Sequence, residues 1–296
     1  MRDYVLVTDE KFGYKRLSPV PTEKELEEFY GKHYATLIQK GNKAPHIKKL
    51  MDVKERKAEL NWFNLTVFSD ILSVLKEHLG RRNDLFEIGC GAGDFLDYAS
   101  KNGWHTKGIE PSEELAAIAS KKGITGLNIT NCTLDGYLKG YRLEKFDAIV
   151  IMNILEHVAD PLTFISDAKK LLKDDGMMVI KVPNDFNELQ KICVENGTTA
   201  DYWVSAPDHI NYFNIDSLTK FLLYSGFKIK YKMTDFPMEF FLLMGEDFIK
   251  NPKLGSLCHK KRVNFELQLP ADYRRRMYAK FAEVGIGRSI VCFLTL

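Results

Sequence analysis

The stretch at residues 84–111, DLFEIGCGAGDFLDYASKNGWHTKGIEP, constrains the fold more than any other part of the chain. It reads as a buried strand over 85–88, a loop carrying Gly89, Gly91 and Gly93, a helix, and a second strand that ends on the acid Glu110. Glycines belong where a chain turns sharply and where backbone must approach a ligand with no Cβ in the way. An acid about 20 residues beyond such a loop is the usual partner of a ribose diol. The unit is therefore a strand–loop–helix–strand built to hold a nucleoside.

Spacing narrows the choice. A dinucleotide fingerprint needs glycine-x-glycine-x-x-glycine, with the helix N-terminus facing a pyrophosphate. Here the loop is glycine-x-glycine-x-glycine and the next residue is Asp94. A carboxylate at that place repels a pyrophosphate, which argues against a nicotinamide-dependent oxidoreductase. A second acid, Glu87, stands just before the first glycine. Clustered acids suit a cationic ligand, and S-adenosylmethionine carries both an ammonium and a sulfonium. The run EIGCGAGDF resembles the first motif of the class I S-adenosylmethionine-dependent methyltransferases. The resemblance is strong by motif over residues 84–185 and weak on the flanks. It implies S-adenosylmethionine as cofactor, with S-adenosylhomocysteine as product. It also implies a Rossmann-like seven-stranded α/β sheet with helices on both faces and an antiparallel last strand.

The length of 296 residues allows one large α/β domain with appendages, or at most two domains. With 45% hydrophobic residues the chain can bury a substantial core. A net charge of +2 does not advertise a nucleic-acid binder. The five cysteines are dispersed and none forms a CxxC pair, so neither a zinc framework nor a disulfide scaffold is expected, and no metal. No leader and no apolar run long enough to span a bilayer is read, and a cytoplasmic location is expected.

Along the chain, residues 1–80 read as an N-terminal extension and helical lid. They hold a short strand at 5–7, a capping box from Thr22 to Glu25, and a helical stretch over 48–79 stopped by Gly80. Residues 81–233 read as the cofactor-binding core, with alternating strands and helices that imply right-handed crossovers and a parallel sheet. Its strands are expected at 126–130, 146–152, 177–182 and 227–233 besides the first two. Residues 234–288 read as an acceptor-side insertion, helical at FPMEFFLLMGEDFIK and ADYRRRMYAKFAEVG, and 289–296 as the closing strand.

Three constellations could carry chemistry. The first is MNILEHVADP, at the carboxyl end of the fourth core strand. The family often shows an acid–His pair here, so Glu156–His157 strengthens the resemblance, and Asn153, Ile154 and His157 are expected to line the cofactor cleft. His157 is a catalytic candidate that bonds the methionine part of the cofactor or a substrate group; the alternative is a histidine that only fixes the loop. Residues 153–156 are NILE rather than the Asn/Asp-Pro-Pro-Tyr-like tetrapeptide of relatives that methylate nucleobase nitrogens, which counts against that acceptor. Cys90, Phe95 and Pro111 complete the cofactor set from the first unit. Asn131, Cys132 and Thr133 are placed against the adenine, although the family's customary aspartate is absent. Tyr34, in the segment that resembles the family's N-terminal lid, is a further cofactor contact; core packing of these aromatics is the competing view.

The second constellation is PDHINYF. His209, with Asp208 and Tyr212 beside it and Tyr202 upstream, lies on a loop expected to overhang the cleft. A hydroxyl acceptor must lose its proton, and a positioned histidine contributes about 10²–10⁴-fold to that. His209 is the base candidate, being on the acceptor side; the alternative is a histidine that ties down the loop. The third is the insertion's cationic set. His259, Arg262 and Arg288 are expected beside the cleft near turns, whereas Arg274, Arg275 and Arg276 read as solvated charge.

Together these residues imply methyl transfer to a small-molecule or glycan acceptor. The tail resembles that of bacterial surface-polysaccharide and sugar-modifying methyltransferases, which points to a hydroxyl of a sugar, a nucleotide-linked sugar or a glycan. A quinone-type molecule or tRNA is the alternative acceptor, and a non-catalytic cofactor-binding partner subunit the alternative class. Oligomeric state is not legible.

Overall fold

The computed structural model describes residues 3–28, 53–121, 128–141 and 143–296. The chain begins with two short strands, β1 (Val5–Thr8) and β2 (Lys15–Ser18), then helix α1 (Glu23–Glu28). Thr22 and Glu25 cap α1 reciprocally, the Thr22 amide donating to the Glu25 carboxylate at 2.8 Å. Helix α2 (Val53–Phe63), a π-helical turn (Asn64–Phe68) and α3 (Ser69–Leu79) form one continuous rod, because the junction residues Phe63 and Ser69 keep right-handed helical dihedrals. Thr66 donates its hydroxyl to the Trp62 carbonyl at 2.6 Å inside the π turn. Gly80, at φ 63°, ends the rod.

The central sheet has seven strands. β3 (Asp84–Ile88), β4 (His105–Ile109), β5 (Asn128–Thr130), β6 (Phe146–Met152) and β7 (Leu172–Pro183) run parallel. β10 (Ser289–Thr295) lies antiparallel between β7 and β9 (Lys228–Thr234), giving the order β5-β4-β3-β6-β7-β10-β9. The two-residue β8 (Asn211–Tyr212) belongs elsewhere. The intervening helices are α4 (Asp94–Lys101), α5 (Glu113–Ser120), α6 (Leu134–Gly140), α7 (Pro161–Lys169), α8 (Glu188–Glu195) and α9 (Ile215–Tyr224).

Both faces are buried along the centre of the sheet, which is why β6, β10 and the second half of β7 read as near-continuous apolar runs rather than alternating ones. Side chains still alternate between the faces. Phe86, Ile149, Ile151, Met178, Ile180, Ile290 and Cys292 enter one core cluster. Leu85, Ala148, Val150, Met177, Val179, Val291 and Phe293 enter the other. The second cluster is completed by Phe68, Ile71, Leu75 and Leu79 of the rod and Phe95, Leu96 and Ala99 of α4.

Two features were not anticipated. β8, from the loop that carries His209, joins β1 and β2 in a small antiparallel sheet, with the Leu17 amide donating to the Ile210 carbonyl at 2.9 Å. The N-terminal strands therefore brace the loop that carries His209. The insertion is also more helical than its periodicity suggested: α10 (Glu239–Leu243) is short, but α11 (Pro252–Gln268) runs 17 residues before α12 (Ala271–Glu283). Cys258, Arg262 and Glu266 are the buried positions of α11, at i, i+4 and i+8. Because that stripe is mostly polar, hydrophobic periodicity does not reveal it.

The stripe is bound into an ionic network. Arg262 reaches Asp235 at 3.0 Å and Glu266 at 3.4 Å, and its guanidinium lies 5.0 Å from the Trp62 ring centre. Glu266 also accepts from Trp62 Nε1 at 2.7 Å and Tyr278 Oη at 2.6 Å. Arg274 is 2% exposed and clamps Asp70 through two bonds of 3.2 and 3.0 Å. The reading of Arg274 as solvated charge is thus corrected. Its partner Asp70 is more than 200 residues away in sequence, so no local pattern could show it. Arg276 does stand in solvent, paired to Asp272 on its own helix and lying 5.8 Å from the Tyr273 ring centre.

Candidate active site

The glycine loop is built as its composition demands. Gly89, Gly91 and Gly93 have φ of 74°, 53° and 71°, the left-handed region that penalises a Cβ. Gly89 is doubly constrained, since a Cβ there would fall 2.4 Å from Ile154 Cδ1. At Gly91 a Cβ would meet open space, so the exposed backbone of the loop faces outward at that point. Amides of Gly89 and Cys90 donate to the Ile109 carbonyl at 2.8 and 3.0 Å, tying the loop to the end of β4.

Glu110 sits beside this loop, 8% exposed. Its two oxygens accept from the Gly91 and Ser112 amides, each at 2.8 Å. Asn131 donates to the carbonyls of Glu110 and Pro111, both at 2.9 Å, and so holds that corner rigid. Each carboxylate oxygen keeps a further lone pair, so a ribose diol can still be received. Glu87 is buried near the end of β3, Ile154 walls the loop, and Thr133 caps α6 by accepting from the Gly136 amide at 3.1 Å, with the partly buried Cys132 before it. The acid set and the open glycine backbone fit a nucleoside with a cationic tail. Two details differ from expectation. Phe95 is 2% exposed and packs on Phe68 at 5.2 Å, in the core rather than on the cleft. Asp94 is paired to Arg56 at 3.2 Å, so its charge is partly answered within the chain. Tyr34 lies outside the described residues.

The histidines expected on the acceptor side gather where β6 and β7 end. Asn153, at φ 54°, opens a 3₁₀ turn (Leu155–His157). The His209 loop is sewn to that turn: Ile210 N–H donates to the Glu156 carbonyl at 2.7 Å, and Asn211 Nδ2 to Leu155 and Val158 at 3.0 and 2.7 Å. His157 and His209 meet with ring centres 4.9 Å apart at 87°. His157 Nδ1 lies 2.8 Å from the Asp208 carbonyl and 3.3 Å from its carboxylate. Burial pulls the His157 imidazolium down, but the Asp208 hydrogen bond and the charges of Glu156 and Asp208 outweigh it and hold the ring up to about 9. Tyr212 is fully buried and accepts from the Ser205 amide at 3.0 Å, which makes it a strut of the loop.

Behind this pair lies a set of buried polar groups that sequence reasoning missed. Glu239, on α10, is 0% exposed and accepts from the Tyr202 hydroxyl at 2.8 Å. Lys181, the one charge within the apolar run 177–182, donates to Asn153 Oδ1 at 3.0 Å and Ser289 Oγ at 3.3 Å. Burial pulls its ammonium down from the usual value, against Asp235 and Glu156. That lone charge was the available signal for Lys181, and the acid inside FPMEFFLLM was the signal for Glu239. Oxygens of Glu156, Asn184, Asp185 and Glu239 and the Trp203 indole N–H find no hydrogen-bond partner among the described residues. Arg288, exposed at the start of β10, acts electrostatically on Asp185, Tyr202 and Lys181 and so borders the group. By contrast His259, paired to Glu59 at 3.0 Å, and Arg262 sit mid-helix on α11 rather than at turns. Arg262 is paired within the insertion, to Asp235 and Glu266, and His259 ties the insertion to α2 through Glu59. A depression of about 460 Å³ opens at the amino ends of β3 and β4. Ligands of open α/β sheets bind at carboxyl ends, so it is not this site.

Burial pushes the Asp185 carboxyl up to about 8, with Arg288 opposing and Glu156 and Glu239 reinforcing the shift. The folded chain therefore keeps a proton that the unfolded chain releases near pH 3.9. Stability contributed by that proton is present at low pH and is lost as pH rises through about 8. The melting temperature should accordingly fall as pH is raised toward 8, and Asp185→Asn should flatten the slope; parallel slopes would remove Asp185 as the cause.

Residues 61–232, more than half of the chain, match the family model described as methyltransferase domain. A ubiquinone biosynthesis O-methyltransferase of Actinobacillus pleuropneumoniae is 33% identical over 107 residues, which is 34% of this chain and 45% of that protein. The match thus spans less than half the length of that curated relative. An uncharacterized protein of Methanocaldococcus jannaschii is 29% identical over 60% of this chain and 82% of its own length. Among solved structures, a SAM-dependent methyltransferase from Archaeoglobus fulgidus superposes with a TM-score of 0.52 at 16% identity, covering 90% of this chain and all of that one (100%). The plantazolicin methyltransferase BamL, in complex with a triazolic desmethylPZN analog and SAH, gives 0.51 at 14% identity over 88% and 98% of the two chains. At these identities the structural likenesses establish the fold.

Proposed function

The chain belongs to the methyltransferase-domain family and has the class I fold of S-adenosylmethionine-dependent enzymes; from that premise we propose that it methylates a hydroxyl of a small molecule, of the sugar, nucleotide-linked sugar or glycan class. The observation that carries the acceptor reading is the convergence of His157 and His209 with buried, partner-seeking oxygens of Asp185 and Glu239 behind them. The Glu239 oxygen accepts a hydrogen bond and the Asp185 carboxyl, which keeps its proton to about pH 8, donates one, and a polyhydroxylated ligand offers both O–H donors and acceptors. A quinone-type phenol is the second reading, favoured by the ubiquinone-biosynthesis name of the relatives above.

S-adenosylmethionine, when bound, supplies a methyl carbon already activated by its sulfonium. Glu110 would hold its ribose hydroxyls, Glu87 and the backbone of Gly89, Gly91 and Gly93 its remaining polar groups, and Ile154, Asn131, Cys132 and Thr133 its base and walls. His209 is the imidazole on the acceptor side, positioned to relieve the hydroxyl of its proton. Tyr202, Asp208 and Arg288 orient the acceptor. Alignment of this kind contributes roughly 7–11 kcal/mol to such displacements.

Incubation with methyl-labelled S-adenosylmethionine and separate pools of nucleotide sugars, glycans and hydroxylated quinone-type rings tests this directly. Label should pass to the sugar pools; transfer to the quinone-type pool alone would select the second reading, and binding of the donor with transfer to no hydroxyl would sink both. Glu110→Ala should weaken donor affinity about 100-fold by calorimetry, since each hydrogen bond to a charged group is worth about 1.5–3 kcal/mol. An unchanged affinity would remove Glu110 from the ribose.

A further inference from the structure

Glu156, His157 and His209 each offer a ligand atom, and the three atoms lie within 4.8 Å of one another. We propose that they form a binding site for a first-row divalent transition metal ion, such as zinc, manganese or cobalt, which in turn holds the acceptor's hydroxyl. No zinc pattern is visible in the sequence, because the two segments are joined only by the fold.

Three observations support the site. First, the Nδ1 of His157 is engaged by the carbonyl of Asp208 at 2.8 Å and by its carboxylate at 3.3 Å. Metal-bound histidines are commonly oriented in this way, with the second ring nitrogen left for the ion. Here that nitrogen, Nε2, faces Glu156 Oε1 at 3.9 Å, too far for a hydrogen bond. It is close to the spacing of two ligands on one ion, since bonds of about 2.1 Å arranged tetrahedrally put ligand atoms about 3.4 Å apart. Second, Glu156 is 1% exposed and its Oε2 finds no partner among the described residues. A buried carboxylate without compensation is costly, and a cation relieves it. Third, the turn and the loop that supply the ligands are locked together by the Ile210 amide and Asn211 side-chain bonds, so the triad is held before any ion arrives. Asp208 and Asp185 add carboxylates around it, and Lys181 one cation.

The donor set decides the ion. Two imidazole nitrogens and one carboxylate oxygen suit zinc, manganese, iron or cobalt, whereas magnesium and calcium prefer all-oxygen shells. Three protein ligands leave positions open for substrate. Resting on the hydroxyl-acceptor reading above, an open position takes the acceptor oxygen and lowers its hold on its proton, which leaves to solvent. The oxygen's lone pair then forms the new C–O bond while the S–C bond breaks, its electron pair returning to sulfur. With the ion bound His209 is its ligand, and the base role given to it above belongs to the ion-free site.

Titration of the chelator-treated full chain with Zn²⁺ against a competing chromophoric chelator, without donor or acceptor, tests the site. One tight equivalent is expected. Glu156→Gln and His209→Ala should each weaken it at least about 100-fold, and Asp208→Asn about 10-fold, within the range seen for second-shell partners. Melting curves of the metal-free variants show whether they are folded. As a measurement independent of mutation, Co²⁺ added to the unaltered chain should shift or broaden the ring C–H resonances of His157 and His209. Binding equal in chain and variants, or histidine signals untouched by Co²⁺, would overturn the proposal. Neither measurement involves methyl transfer, so such a failure would leave the methyltransferase reading standing. Failure of the zinc-loaded enzyme to pass label would sink that reading and not the site.

Discussion

Replacing His209 by alanine is expected to lower turnover at saturating acceptor by roughly 10²- to 10⁴-fold, the usual contribution of a positioned acid–base histidine. Donor affinity should be unchanged, because Glu110 and the glycine loop are pinned by bonds to Ile109, Ser112 and Asn131 that involve no part of the His209 loop. His209 stands instead against His157, with ring centres 4.9 Å apart. A purely structural histidine would show a different signature: the loop would loosen, melting temperature and acceptor KM would move, and kcat would stay. Measuring kcat, acceptor KM, donor affinity and melting temperature on one preparation separates the two. Near-normal kcat would end the assignment. Recovery of rate on adding free imidazole would support it, since an exogenous ring can take the proton or occupy the ligand position.

Arg274→Ala is expected to cost about 3–5 kcal/mol of stability, the range for breaking a buried ion pair from one side. The guanidinium is 2% exposed and binds Asp70 twice, the Glu266 carbonyl at 3.1 Å and the Leu65 carbonyl at 2.8 Å. Burial already pushes the Asp70 carboxyl up despite Arg274 and Arg275 beside it. Without Arg274 that acid must be buried with Arg275 as its remaining cation, at 3.3 Å. The Leu65 carbonyl loses its donor in the same step. Urea unfolding at neutral pH measures the loss. Arg274→Met combined with Asp70→Leu should recover most of it, because apolar replacement of a whole buried pair is often neutral or better. A loss below about 0.5 kcal/mol, the range of an ordinary surface change, would show that the clamp does not bind the insertion to the rod.

Much of the core was legible because the relevant physics is local. The apolar runs of β6 and β7 announce strands buried on both faces, and Ser112, Pro161 and Asn214 mark helix starts that the structure keeps. β10 pairs antiparallel with β7 and β9, as the resemblance implied. Helix α11 was not legible: its inward positions are Cys258, Arg262 and Glu266, whose burial depends on partners from other elements. The same limit misplaced His259 and Arg262 at turns and left Glu239 unmarked.

By itself the sequence determined the glycine loop and the acid that follows it. Positive φ at Gly89, Gly91 and Gly93 and an acid ending the next strand depend on a few nearby residues, which is why the sequence shows them. The acceptor half was decided only by tertiary structure. Glu156 and His157 acquire their chemistry when Asp208 and His209, some 50 residues onward, are sewn against them through Ile210. Desolvation and charge pairing act through space, so which groups lose water together is set by packing and cannot be read from spacing along the chain.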